Sequence, residues 1–405
     1  MKYIVVLGDG MADYPVPELD GKTPLMVANK PNVDKLAKYA EIGLVKTVPD
    51  HLNPPGSDIA NMCVMGYNPD IFYTGRSPLE AVSMGLELAP VELAVRCNIV
   101  NLSEDEPYEE KTMVDYSSDE ISTEEARELI NFIQDNLGND FMKFNPGISY
   151  RHCLVMKCEG DVKLRCTPPH DISDRRITEY LPKGDFSEEL LECMKKSYEL
   201  LNHHPINEAR RAHGLKPANS IWPWGEGRKP ALANFYETRG LKGAVVSAVD
   251  LIRGLGICAG MENIIVENVT GTYKTNFAGK AKATVDFLKN GGDFVYLHME
   301  APDECGHRHE VANKIKSIEL IDDIVVRYIC EEVAKFDDFR MLIMPDHPTP
   351  LVLRTHTHDA VPYLIYDSRV ENAVDDNAVY TEEYARSTGI YKDVGFELMT
   401  HFLEK

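Results

Sequence analysis

No stretch of this 405-residue chain approaches the ~18 consecutive apolar residues a membrane-spanning helix needs. The apolar run at its start, residues 3–7 between Lys2 and Asp9, is too short for a signal-peptide core. Basic residues are scarce beside acidic ones, 43 Lys and Arg against 65 Asp and Glu. The resulting net charge of −22 repels phosphate backbones and anionic lipid over most of the surface, so neither nucleic acid nor membrane is an expected partner. A small anionic substrate stays open, because a local group of arginines or a metal ion overrules net charge. Cysteines number nine and are irregularly placed; even the nearest, Cys153, Cys158 and Cys166, lack the Cys-x-x-Cys spacing of structural zinc. A reduced, cytoplasmic chain is expected, with most thiols packed as small hydrophobes. Internal repeats and low-complexity tracts are absent as well.

What remains is an ordinary folded composition, 43% hydrophobic and 27% charged, long enough for about two or three domains. The opening Lys2-Tyr-Ile-Val-Val-Leu-Gly-Asp9 reads as a buried parallel strand ending at a carboxylate. After Pro31, the residues Val33, Leu36, Ala37 and Ala40 recur with helical period up to Gly43, a C-cap candidate, and a strand follows at 43–48. The turn Asn53-Pro-Pro-Gly-Ser57-Asp58 leads into a helix carrying Ile59, Met62 and Cys63 on one face. Further on, strands at 243–249, 264–269, 294–299 and 340–344 alternate with helices from Asp250, around 280–288 and over 313–336. This is βαβ order, which predicts a mostly parallel α/β sheet flanked by helices.

Between 92 and 185 the pattern changes. Ser122-Thr-Glu-Glu125 is a capping box opening a helix with Ala126, Leu129, Ile130 and Ile133 on one face, flanked by strands near 94–102 and 152–158. A smaller α+β insertion is expected there. Pro168-Pro169 and Trp222-Pro-Trp-Gly read as hinges or ordinary turns.

Metal-ligand residue types gather where predicted strands end: Asp9; Asp303 and His307 as Asp-x-x-x-His; Asp346-His347; and His356 and His358 before a strand at 362–366. In open α/β sheets, ligands bind outside the carboxyl ends of strands, so these residues can converge across hundreds of positions. Each motif alone is as well explained by a local turn; three at successive strand ends are not. Mixed carboxylate and imidazole donors suit Mn²⁺ or Zn²⁺ better than Ca²⁺ or Mg²⁺. Ser57 has two readings at the start of its helix, an N-cap or a hydroxyl placed at the positive end of the dipole to attack phosphorus. The second requires metal activation.

Taken together, Asp9-Gly10, Pro-Gly-Ser57-Asp-x-Ala-Asn61, Thr-Gly-Arg76-Ser-Pro-Leu-Glu80, Arg96-Cys-Asn98, Thr270-Gly271 through Thr275-Asn276 to Lys280-Ala281, Ala-Pro-Asp303-Glu-Cys-Gly-His307, Pro-Asp346-His347 and His356-Thr-His-Asp-Ala-Val-Pro362 resemble the archaeal-type cofactor-independent phosphoglycerate mutases of the alkaline phosphatase superfamily, in order over nearly the whole chain. The resemblance implies an alkaline-phosphatase-like core, residues 1–91 and 186–405, with an inserted lid at 92–185 that shields a phosphoserine from water. It makes Ser57 the nucleophile, assigns Asp9, Ser57, Asp346 and His347 to one divalent ion and Asp303, His307 and His356 to another, and names manganese first, with zinc or magnesium otherwise. His358 falls behind the ligands or toward substrate. Arg96, Arg151, His170 and Asp171 become lid or hinge contacts to a small phosphorylated carboxylate, and Arg228 and Lys280 are further substrate-binding candidates. The implied reaction interconverts 3-phosphoglycerate and 2-phosphoglycerate; a homoserine kinase-like phosphotransferase or a metal-dependent phosphohydrolase are the alternatives. One departure stands out: where the family has an Arg-Gly pair, this chain has Trp224-Gly225, which removes a fixed positive charge that Arg228 would have to replace.

Overall fold

The computed structural model describes residues 1–404 and forms two compact units, Met1–Tyr73 with Ala231–Lys405, and Thr74–Pro230. In chain order the strands are β1 (Lys2–Gly8), β2 (Ala40–Val45), β3 (Glu92–Leu102), β4 (Met113–Asp115), β5 (Met142–Ile148), β6 (Arg151–Lys157), β7 (Leu164–Arg165), β8 (Lys183–Gly184), β9 (Ser220–Arg228), β10 (Gly243–Val246), β11 (Glu262–Asn263), β12 (Phe294–Met299), β13 (Phe339–Met344), β14 (Val361–Asp367) and β15 (Tyr391–Lys392).

The first unit is built on one sheet ordered β11-β10-β12-β1-β13-β14-β2-β15. β1 lies parallel between β12 and β13, and only β14 runs against its neighbours, so the expected mostly parallel α/β sheet is present. β1 is buried on both faces, which its unbroken apolar run requires. On one face Ile4 and Val6 share a core with Val33 and Leu36 of the helix Pro31–Ala37, Val285 and Leu288 of Phe277–Lys289, and Ile329 and Val333 of Arg327–Val333. On the other, Tyr3 meets Phe402 of the helix Glu397–Leu403 edge to face, with centroids 5.8 Å apart. These strand directions send the loops after β1, β2, β12 and β13, and the loop before β14, out of the same sheet edge. That edge is where the site residues collect.

The second unit has the antiparallel order β4-β3-β6-β5 with β9 also paired to β3. The helices Thr123–Leu137 and Ser187–Asn202 cover one face, joining Leu129, Ile133 and Met194 to Val95, Cys97, Leu154 and Trp222. Ser122 caps the helix as expected, its hydroxyl accepting the Glu125 amide at 3.2 Å, but the Glu125 carboxylate accepts that hydroxyl at 3.1 Å rather than completing the reciprocal bond of a capping box.

Several sequence expectations are corrected. The insertion is larger than 92–185, because β9 pairs along β3 and the Ser77 hydroxyl accepts the Arg96 amide at 3.0 Å while donating to the Gly225 carbonyl. Trp222-Pro-Trp-Gly is neither hinge nor turn but part of β9, where β9 pairs only with β3, so Pro223 occupies an edge position that needs no second ladder bond. Gly43 is not a C-cap; it lies in β2, where a Cβ would come within 2.9 Å of Ile390. The segment 264–269 is loop, pairing stopping at Asn263 and Asn268 taking φ 57°. The long helix at 313–336 is Val311–Leu320 and Arg327–Val333 joined by a π-helical turn, Ile321–Val326, in which Asp322 accepts the Asn32 and Val33 amides that open the helix Pro31–Ala37.

Among the described residues no helix is long and apolar enough to cross a membrane. Six of the nine cysteines are buried and the other three are partly exposed.

Candidate metal centre

Asp9 follows directly on β1, and the chain can turn there only because Gly10 has φ +58° and no side chain: a Cβ would lie 2.8 Å from the Asp303 Cα. Asp346 and His347 follow β13, with Asp346 held rigidly. Its Oδ1 accepts the amides of Gly10 at 3.1 Å and His347 at 2.9 Å, and its Oδ2 accepts Asn61 Nδ2 at 2.6 Å. Nε2 of His347 lies 3.4 Å from Asp346 Oδ2, 3.6 Å from Asp9 Oδ1 and 3.0 Å from Ser57 Oγ. Ser57 is the first residue of the helix Ser57–Val64, with Gly56 as its N-cap. The serine side chain is therefore not the cap, and the N-cap reading is corrected.

A second cluster adjoins the first. Asp303, on the short helix Ala301–His307, places its two oxygens 3.3 Å from His307 Nε2 and from His356 Nε2. The two imidazole nitrogens are 2.9 Å apart, and His356 stacks on His347 at 3.9 Å. Backbone carbonyls orient both rings from behind, Arg354 taking Nδ1 of His307 at 3.0 Å and Pro55 taking Nδ1 of His356 at 3.2 Å. His358 instead faces the Leu52 carbonyl at 3.0 Å. Donor atoms of Asp9, Asp346 and His347, and of Asp303, His347 and His356, lie within 4.8 Å of one another, so His347 sits between both groups.

The electrostatics match a cation site. Burial and then the repulsion of Asp346 and Asp303 push the Asp9 carboxyl well above its usual range. Its Oδ1 has no hydrogen-bond partner among the described residues, a buried oxygen for which divalent charge is a partner. Burial also acts to raise Asp303, but hydrogen bonds from His307 and His356 outweigh it and hold that carboxyl well down. The same bond to Asp303, only partly offset by burial, lifts His307 to about 9, whereas burial lowers His347. Buried carboxylates and imidazoles with an orphan oxygen at their centre fit divalent cations.

The remaining candidates are dispersed. Lys280 is fully buried, donates to the His298 carbonyl at 2.9 Å, and is pushed down to about 8 by burial against the pull of Glu300. In the second unit, Arg96 sits with its guanidinium 4.2 Å over the Trp224 ring and its Nε 2.9 Å from Glu80, which Arg76 also contacts at 2.7 Å. Burial lowers Arg96 to about 10. Trp224 donates to Asn98 at 2.9 Å and meets the His170 ring edge to face, with centroids 5.1 Å apart. Arg151 lies across β3 from this group, in register with Asn98, and Asp171 is 3.7 Å from His170. Arg228 does not replace the missing arginine: its guanidinium donates to the carbonyls of Pro90, Cys158 and Gly160. The sequence reading passed over His298 and Thr349, which contact donors, and Tyr296, which contacts Asn61; for Tyr296 and His298 the signal available was a polar residue at alternate positions of an otherwise apolar strand.

An α/β core that collects carboxylates, imidazoles and a serine hydroxyl at the carboxyl edge of its sheet has the donor set of a metal-dependent enzyme acting on phosphate esters. A family model described as 2,3-bisphosphoglycerate-independent phosphoglycerate mutase matches residues 37–207. A Geobacter sulfurreducens protein named as a probable 2,3-bisphosphoglycerate-independent phosphoglycerate mutase is 49% identical over 406 residues, 100% of each chain. A Methanosarcina barkeri mutase of the same name is 46% identical, covering 97% of each. The solved structure of a Pyrococcus horikoshii protein superposes with a TM-score of 0.82 at 30% identity, over 100% of this chain and 98% of that one. A cofactor-independent phosphoglycerate mutase from Thermoplasma acidophilum shares the fold, with a TM-score of 0.68 at 22% identity over 100% of this chain and 99% of its own. The chain belongs to the 2,3-bisphosphoglycerate-independent phosphoglycerate mutase family and is an enzyme of the intramolecular phosphotransferase class.

Proposed function

We propose that this chain interconverts 3-phosphoglycerate and 2-phosphoglycerate through phospho-Ser57, with two manganese ions, in the cytoplasm. The observation that carries the proposal is the convergence of Ser57 Oγ, 3.0 Å from His347 Nε2, with buried carboxylates drawn from three strand ends. Asp9, Ser57, Asp346 and His347 would hold one ion and Asp303, His307 and His356 the other. Bound there, the ions lower the hydroxyl pKa and offset charge on the phosphoryl oxygens.

Ser57 Oγ attacks phosphorus as the bond to the 3-oxygen of glycerate breaks; the serine loses a proton and the released oxygen gains one. Attack by the 2-hydroxyl then breaks the serine–phosphorus bond and restores Ser57. The helix start supports both steps, since the Ser57 and Asp58 amides precede the first intrahelical bond, Ala60 N–H to Gly56, and are placed to donate to phosphoryl oxygens. Asn61 holds the Ser57 carbonyl at 2.8 Å and so fixes the hydroxyl's base. In the second unit, Glu80 and Trp224 fix Arg96 on one edge and one face, which prepares its outer nitrogens for a carboxylate or phosphate, and Arg151, His170 and Asp171 are further proposed contacts.

The family relationship favours this reading over the homoserine kinase-like and hydrolytic ones. Manganese-loaded and chelated protein given 3-phosphoglycerate, and separately ATP with homoserine, decide between them. Metal-dependent 2-phosphoglycerate is expected. Free phosphate alone, or phosphohomoserine alone, would overturn the proposal.

A further inference from the structure

None of the donor residues lies on β12, yet this strand contacts Asp9 directly and reaches Asp346 through Asn61. Its alternate residues Tyr296 and His298 are fully buried and point to one face of the sheet. Nε2 of His298 is 3.0 Å from Asp9 Oδ2. Its Nδ1 lies 3.2 Å from the Ser247 hydroxyl, which accepts the Val249 amide and so has its own proton to give to that nitrogen. This places the imidazole proton on Nε2, facing Asp9.

Tyr296 acts one residue further away. Its hydroxyl donates to Asn61 Oδ1 at 2.6 Å, and the Asn61 amide donates in turn to Asp346 Oδ2 at 2.6 Å and to the Ser57 carbonyl at 2.8 Å. The Asn61 orientation is dictated: turned over, its oxygen would face two acceptors and its nitrogen the tyrosine. Burial keeps Tyr296 protonated, and therefore a donor, at every physiological pH. One side chain thus ties the nucleophile's backbone to a carboxylate, and Tyr296 is what holds that side chain in register.

We infer that Tyr296 is a positioning residue of the metal centre, acting through Asn61 to fix Asp346 and Ser57 relative to each other. The inference rests on the two-cation reading above. It requires neither a ligand atom from Tyr296 nor a change in its protonation. Loss of the hydroxyl frees the Asn61 amide, and with it the alignment of Asp346 and Ser57.

The test is Tyr296→Phe in the full chain, with Tyr363→Phe as its control. Tyr363 is also a buried tyrosine of this sheet, but its hydroxyl goes to Glu41, away from the centre. Mn²⁺ affinity is measured by calorimetry without substrate, turnover by conversion of 3-phosphoglycerate, and folding by circular dichroism. Tyr296→Phe is expected to weaken Mn²⁺ binding about 10-fold or more and to lower kcat with little change in KM, while Tyr363→Phe matches wild type in both. Should Tyr296→Phe not fold, Asn61→Ser carries the same expectation. Mn²⁺ affinity and kcat within twofold of wild type in the folded variant overturn the inference. Wild-type protein that takes up no divalent cation removes both it and the two-cation reading; cation uptake without mutase turnover removes only the phosphoglycerate assignment.

Discussion

The Ser57 hydroxyl lies 3.0 Å from Nε2 of His347, although 290 residues separate them in the chain. The serine opens the helix that follows β2, and the histidine follows the end of β13. They meet because β2 and β13 both run parallel to β1, with β14 antiparallel between them. Ser57→Ala is therefore expected to abolish phosphoglycerate turnover, by roughly three orders of magnitude or more, while the far-ultraviolet spectrum stays that of wild type. A coupled assay for 2-phosphoglycerate reads the loss.

Removal of metal has a thermodynamic signature as well. Asp9, Asp303 and Asp346 are buried close together, so a bound cation relieves repulsion that the folded chain otherwise bears. Mn²⁺ at a hundred times its Kd stabilises by about 2.7 kcal/mol. For a unit of this size that raises Tm by roughly 5–10 °C, and a chelator reverses it. Calorimetric scans with and without chelator measure the shift.

Lys314 and Asp13 form a wholly buried ion pair at 2.7 Å. Asp13 also accepts the Leu351 amide at 3.1 Å, and Lys314 donates to the Thr349 carbonyl at 2.9 Å, so the pair fastens the turn that follows His347. Lys314→Met leaves the carboxylate buried and uncompensated, at a cost of about 3–5 kcal/mol. Denaturant unfolding gives that loss directly, and weaker Mn²⁺ binding is expected with it.

Trp224 supports the Arg96 guanidinium at 4.2 Å and donates to Asn98. Under the proposed function, Trp224→Ala raises KM for 3-phosphoglycerate roughly 5–10-fold with a smaller effect on kcat, because the arginine loses its platform and not its charge. Trp224→Phe, which keeps a ring face, recovers part of the loss. Initial-rate kinetics on the three proteins make the comparison.

Asp115 offers a pH test outside the metal centre. Burial pushes its carboxyl up, but Lys216 at 2.7 Å and the amides of Ser117 and Asp119 pull it down further, to about 2. A folded pKa below the unfolded value of about 3.9 means stability present above that pH and lost as pH falls toward 2. The group is partly exposed and screened, so the contribution is about 1 kcal/mol. Asp115→Asn should lack this acid-sensitive increment when unfolding free energies are compared across the range.

Elements with strong periodicity were legible: β1, the Ser122 cap, and the helix starting at Pro31. The gathering of Asp9, Asp303, Asp346, His347 and His356 was legible too, since Asp and His after strands stand out against apolar runs. Less legible was β9, because Pro and Gly usually end strands and only its edge position admits Pro223. The role of Arg228 was equally hidden, since a guanidinium satisfied by three carbonyls looks in sequence like one awaiting a substrate.

Local chemistry decided that β1, β12 and β13 would be strands and that carboxylates and imidazoles would stand just beyond their ends. It could not decide that His347 would lie between two donor groups, that Tyr296 would reach Asp346 through Asn61, or that Trp224 would carry Arg96. Those depend on strand order and register, which arise from packing among residues far apart in the chain and leave no trace in any single stretch of it.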